Sequence, residues 1–130
     1  AFKTHPRVIA LPHLGASTGE AEENCAVMAV QQLKCYLEQG HIKNSVNFPQ
    51  VSLPGDVGNR VAVVNSNIPN MVSQITGVLA EKSLNIVELV NQSRGDIAYT
   101  LIDLDQRPDD RAMAAIHAIP GVIRTRRIGC

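Results

Sequence analysis

The stretch RVIALPHLGAST, from Arg7 to Thr18, sets a histidine on a Pro/Gly turn between a strand-like apolar run and the start of a helix. Imidazole is the side chain best suited to give and take a proton near neutral pH, and short turns between regular elements are where folds place reactive groups. His13 is therefore the first candidate for chemistry, although on its own residues a structural turn histidine is the plainer reading. A second group is built from asparagines. NSNIPNMV carries Asn65 and Asn67 just ahead of a helix start, and Asn85 opens a later strand. Amides offer donors and acceptors together, which suits the carboxylate, ammonium and hydroxyl of an amino acid. Asparagine also favours caps and turns through bonds to its own backbone, so both roles stay open.

The other chemically capable residues point nowhere. Cys25, Cys35 and Cys130 are odd in number and lack the C-x-x-C spacing of zinc or redox sites. They read as reduced thiols of a cytoplasmic protein. His5, His41 and His117 have no partners at ligand spacing, and no metal is expected. Twelve basic residues balance twelve acidic ones, so no overall field draws the chain to nucleic acid or membrane. The cluster RTRR (Arg124, Arg126, Arg127) reads as a solvated strand face. No apolar run approaches the roughly 20 residues of a membrane span. The opening AFKTHPR has neither Met nor the features of a signal peptide, and it reads as a piece cut from a longer protein.

The elements that must position these residues follow from periodicity. RVIAL (7–11) is a short apolar run suited to a buried strand. Ser17 and Glu20 have the spacing of a capping box, and the apolar positions Ala21, Cys25, Met28, Leu33 and Leu37 continue at helical intervals until Gly40, a left-handed terminator. Residues 41–58, HIKNSVNFPQVSLPGDVG, hold no sustained period and read as an extended linker. RVAVVNS (60–66) is a strand, and Pro69 suits the first turn of a helix with Met71, Ile75 and Leu79 on one face. NIVELVNQ (85–92) and IAYTLIDL (97–104) are strands flanking the hairpin turn SRGD. Pro108 and Asp109 begin another helix, which Gly121 ends before the strand VIRTRRI. The order βαββαβ is the split βαβ arrangement of ferredoxin-like α+β folds. Two helices cover one sheet face, and the other face is expected to seek a pairing partner. Several stacking aromatics would be needed for RNA binding on such a sheet, and only Tyr99 is available.

Two separate stretches carry a family resemblance. PHLGAST followed by EAEENCAVMAVQQL resembles the C-terminal end of the nucleotide-binding domain of D-2-hydroxyacid dehydrogenases. VNFPQVSLP and the βαββαβ unit closing in AIPGVIRTRRIG resemble the linker and ACT regulatory domain of the members that serve L-serine synthesis. The resemblance implies residues 1–40 as a remnant of the nucleotide-binding and substrate domains, 41–58 as linker and 59–130 as an ACT domain. It implies an NAD-dependent parent enzyme acting on 3-phosphoglycerate, with His13 as general acid/base and Gly15 and Ala16 where the backbone passes close to the cofactor. The carboxylate and arginine partners of that histidine, and a G-x-G-x-x-G motif, are absent, so the piece alone is expected to be inactive and not to bind NAD. ACT domains of this family pair edge to edge and bind a small amino acid at the joint. Asn65, Asn67 and Asn85 match that site, with L-serine as the implied effector. Asn65 stands where relatives often have His, and Asn70 where Gly usually follows the proline. The alternative is a stand-alone amino-acid-sensing or oligomerisation module without catalytic role.

Overall fold

The computed structural model describes residues 7, 9, 15, 17–55 and 57–129. His13, Ala16 and most of the strand expected at 7–11 lie outside the described residues. The chain divides into two compact units, Ala1–Gln31 and Gln32–Cys130, and helix α1 (Gly19–Gln39) contributes residues to both.

The N-terminus of α1 is capped by Thr18, whose Oγ1 accepts from the Ala21 amide at 3.2 Å. The cap thus falls one residue beyond the expected Ser17. Either of two adjacent hydroxyls can reach the amide three positions on, and Glu20 and Glu22 favour the positive end of the helix from either start. Gly40 ends the helix at φ 75°, its amide donating to the Tyr36 carbonyl at 3.0 Å. No residue of α1 is buried; Val30, Leu33 and Leu37 on its apolar side are all exposed.

In the second unit, β1 (Asn59–Ser66), α2 (Met71–Glu81), β2 (Ile86–Arg94), β3 (Ile97–Leu104), α3 (Asp110–His117) and β4 (Val122–Ile128) follow in order. The strands form one antiparallel sheet, β2-β3-β1-β4. That order places both βαβ crossovers on one face, which is the ferredoxin-like topology expected from the sequence. Strand alternation sends Val61, Val63, Ile102 and Leu104 toward Ile75 and Leu79 of α2 and Ala112 and Ile116 of α3, forming one core. Asp109 caps α3, its Oδ1 accepting from the Ala112 amide at 2.7 Å.

Helix α2 begins later than Pro69. Asn70 is left-handed at φ 70°, so it cannot continue a helix, and Pro69 sits in the turn before it. Asparagine is the non-glycine residue that best tolerates this conformation, so Asn70 keeps the backbone form that glycine would take.

The second sheet face does not wait for a partner. Residues 42–53 and Val57 lie across it, with Ile42, Val51 and Leu53 buried against Ala62, Tyr99, Leu101 and Ile128. Ile42 and Val51 exchange backbone hydrogen bonds at 2.9 and 3.0 Å. The Arg94 guanidinium donates to the Ser45 carbonyl at 2.9 Å, and Phe48 meets Tyr99 edge to face. Apolar residues at irregular spacing gave no periodic signal, yet they bury as well as those in the strands.

Candidate functional site

Beside a wide, open surface hollow of about 450 Å³ around Ser73, Thr76 and Asn85, two more enclosed concavities stand out. The larger, about 280 Å³, is walled by Leu33, Tyr36, Ile42, Phe48 and Tyr99, and its buried polar group, the Tyr99 hydroxyl, already donates to the Gly40 carbonyl at 2.8 Å. The smaller, about 180 Å³, lies where β1 runs into α2 and includes Asn65, Asn67, Asn70, Ser73 and Asn91. Polar recognition belongs to the second. Its volume is below the roughly 300–1,000 Å³ of drug-sized sites, which suits a small ligand.

Each wall has a local cause. Asn65 shares the helix-facing side of β1 with Val61 and Val63 and is 1% exposed. A β-bulge between Val64 and Asn65 in the pairing with β4 sits directly beneath it, a place where bulges commonly re-aim side chains. Its Nδ2 donates to the Ser66 carbonyl at 2.8 Å. Its Oδ1 is buried and has no hydrogen-bond partner. Such an orphan costs about 1–3 kcal/mol, and it marks a place where a donor belongs.

Asn67 is a clasp. Its backbone amide donates to the Asp96 carbonyl and its Nδ2 to the Gly95 carbonyl, both at 2.9 Å, tying the β1–α2 loop to the β2–β3 hairpin. Asn91 reaches the cleft from β2, its Nδ2 donating to Thr100 Oγ1 at 2.7 Å. Across the mouth lies the start of α2, where no side chain caps the helix. Free amides and the helix dipole there favour a carboxylate.

The structure brings Asn65 and Asn67 together and leaves Asn85 apart. Asn85 is exposed at the start of β2, beside Ser73, Thr76 and Ala80 of α2. Its backbone is held by Asp105, whose carboxylate accepts from the Asn85 amide and whose amide donates to the Asn85 carbonyl, both at 3.0 Å. Gly15 is exposed on a turn with open space around it. Sequence reasoning missed Asn91 as a cleft residue. The signal was there: position 91 is the polar interruption in IVELVNQ on the side of the strand that Leu89 buries.

The Arg cluster is also more than a solvated face. The Arg126 guanidinium stacks over the Tyr36 ring at 4.4 Å and donates to the Tyr36 carbonyl, and Arg127 pairs with Asp110. Among the described residues no helix is long and apolar enough to cross a membrane.

No family model matches the chain. D-3-phosphoglycerate dehydrogenase of Escherichia coli strain K12 is 36% identical over 121 residues, 92% of this chain and 30% of that protein. The proteins of the same name from Haemophilus influenzae and Dictyostelium discoideum are 32% and 30% identical over 92% and 93% of this chain. Among solved structures, the ACT domain from GTP pyrophosphokinase of Chlorobium tepidum is 22% identical with a TM-score of 0.47, covering 53% of this chain and 94% of that one. The regulatory subunit of aspartate kinase from Thermus thermophilus is 13% identical with a TM-score of 0.43, covering 58% and 56%. The chain spans about 30% of the length of the curated relatives it matches. It is thus similar in sequence to D-3-phosphoglycerate dehydrogenases along nearly all of its own length and along less than a third of theirs.

Proposed function

We propose that this chain is the C-terminal regulatory part of a cytoplasmic, NAD-dependent D-3-phosphoglycerate dehydrogenase, and that the asparagine cleft binds L-serine as a feedback effector. The observation that carries the effector reading is the buried, unpartnered Oδ1 of Asn65. An ammonium is the donor that an amide oxygen in such a place accepts best. With the ammonium on Asn65, the ligand carboxylate lies toward the uncapped start of α2. The hydroxyl falls among Asn67, Ser73 and Asn91.

Self-association is part of the same proposal. Strand β2 is paired only to β3, and its Val87 is 67% exposed. An edge of this kind is a template for a second strand. Antiparallel pairing of two β2 strands about a two-fold axis near Glu88 sets Asn85 of one copy opposite Asn91 of the other. The distant third asparagine then completes the cleft from a second chain.

The catalytic half of the proposal belongs to the longer parent. There His13 would hold and release the proton of the substrate hydroxyl, and NAD would supply the hydride chemistry. The sequence has no G-x-G-x-x-G, so in this reading the dinucleotide site belongs to the longer parent.

The test is calorimetric titration of L-serine, with glycine and L-alanine as controls, alongside sedimentation of the chain. Saturable serine binding near one site per chain, lost on Asn65→Leu and coupled to dimerisation, is the expected result. No heat from any of the three amino acids would overturn the effector reading. In the full-length parent, His13→Gln should abolish 3-phosphoglycerate-dependent reduction of NAD.

A further inference from the structure

The last carbonyls of a helix have no intrahelical amide to accept from, and at the end of α1 those of Tyr36 and Gln39, with that of Gly40 just beyond it, are bound by side chains of the sheet. Tyr99 Oη on β3 donates to the Gly40 carbonyl at 2.8 Å. Arg60 Nη1 on β1 donates to the Gln39 carbonyl at 3.0 Å. Arg126 on β4 donates to the Tyr36 carbonyl. The last turn of α1 has no basic residue of its own, so the positive charge that a helix C-terminus favours comes from two neighbouring strands. The joint is closely packed: Gly40 sits at φ 75°, and a Cβ there would displace the ends of the Ile128 and Leu101 side chains.

The same strand touches the cleft. Ala98 lines it, and Thr100 accepts the hydrogen bond of Asn91 there. Strand alternation puts Tyr99, between them, on the opposite face. One residue step along β3 therefore separates the cleft wall from the cap on α1.

We propose that Tyr99 is a positioning residue that couples the asparagine cleft to the last turn of α1, with Arg60 and Arg126 keeping that turn docked. The proposal rests on the effector reading for its ligand but not for its mechanics. A ligand that draws on Asn91 or presses on Ala98 shifts β3, and the shift reaches Gly40 through the Tyr99 hydroxyl. Coupling of this kind runs through packed elements and hydrogen-bond networks.

Amide hydrogen exchange on the whole chain, read at residues 36–42 and separately over β1 to β4, tests it. Tyr99→Phe should speed exchange at 36–42 by about tenfold, the loss of one buried hydrogen bond, with the sheet unchanged. Thr100→Val, on the cleft side, should also speed exchange at 36–42, and Thr100→Ser, which keeps the hydroxyl, should match wild type. L-serine should slow exchange at 36–42 in wild type but not in Tyr99→Phe, whose calorimetric serine binding is retained. Unchanged exchange at 36–42 in Thr100→Val, or an acceleration shared by the whole sheet, overturns the proposal. Absence of serine binding in wild type overturns the effector reading instead, and the Thr100 pair still decides the coupling.

Discussion

Replacing Asp103 by alanine isolates the cost of the buried charge beneath the end of α1. The Arg60 side chain is fully buried, and Asp103 takes two bonds from it, from Nε at 2.6 Å and from Nη2 at 2.7 Å. Asp103 keeps 16% of its side-chain exposure, so part of its own hydration survives folding while none of the guanidinium's does. In Asp103→Ala the arginine retains the Gln39 carbonyl and loses its counter-charge. Breaking a buried pair this way costs about 3–5 kcal/mol, about a fifth or more of the stability of a typical domain. Replacing both partners, as Arg60→Met with Asp103→Leu, removes the stranded charge and should recover most of that loss. Urea unfolding followed by circular dichroism, with slopes compared so that only the midpoint moves, measures both variants against wild type. A cost below about 1 kcal/mol for Asp103→Ala, the value of an exposed pair, would refute the burial of Arg60 and with it the stiff joint.

Three further outcomes follow from the same structure. Leu53, 2% exposed in the segment across the second sheet face, should cost about 2–5 kcal/mol when changed to Ala; under 1 kcal/mol in urea unfolding would mean that the segment is loosely attached. Asn65→Leu removes the orphaned amide oxygen together with the Nδ2 bond to the Ser66 carbonyl, which still accepts from the Ile68 amide, so the chain should stay within about 1 kcal/mol of wild-type stability while losing serine binding; a large loss of melting temperature would contradict an unsatisfied Asn65. Burial pushes the Tyr99 phenol well above its ordinary value of 10.0. Above pH 10 the unfolded phenol has lost its proton and the folded one has kept it, so its stabilising contribution is complete below pH 10 and falls by about 1.4 kcal/mol per pH unit beyond. The wild-type minus Tyr99→Phe difference in urea stability should shrink on that slope, and a flat difference up to pH 11 would count against it.

The parts of the fold legible in the sequence are those with a period. Val61, Val63, Ile75, Leu79 and Ile116 fall on strand and helix intervals, and the structure buries all of them. The hairpin was equally plain, because Gly95 takes the positive φ that its turn demands. The cover on the second face was not. Val51 and Leu53 bury through an irregular segment whose contacts are long-range, so neither spacing nor turn chemistry announces them. The cleft was half legible. Asn65 and Asn67 stand out by type, but only three dimensions separate the amide oxygen of Asn65, buried at the cleft wall without a partner, from Asn67, engaged on the hairpin. Asn91 joins them through strand register. Arg60 looks like an ordinary polar strand start, and its burial depends on Asp103 lying opposite it across the sheet.

The central claim is that a small amino acid occupies the cleft between β1 and the start of α2. Side-chain amide resonances of asparagine report it residue by residue in an isotope-labelled chain titrated with L-serine. The account predicts saturable shifts of the Asn65 and Asn91 side-chain amides and of the backbone amides at the start of α2, absent in Asn65→Leu. Shifts confined to other asparagines, or none at saturating serine, would contradict it.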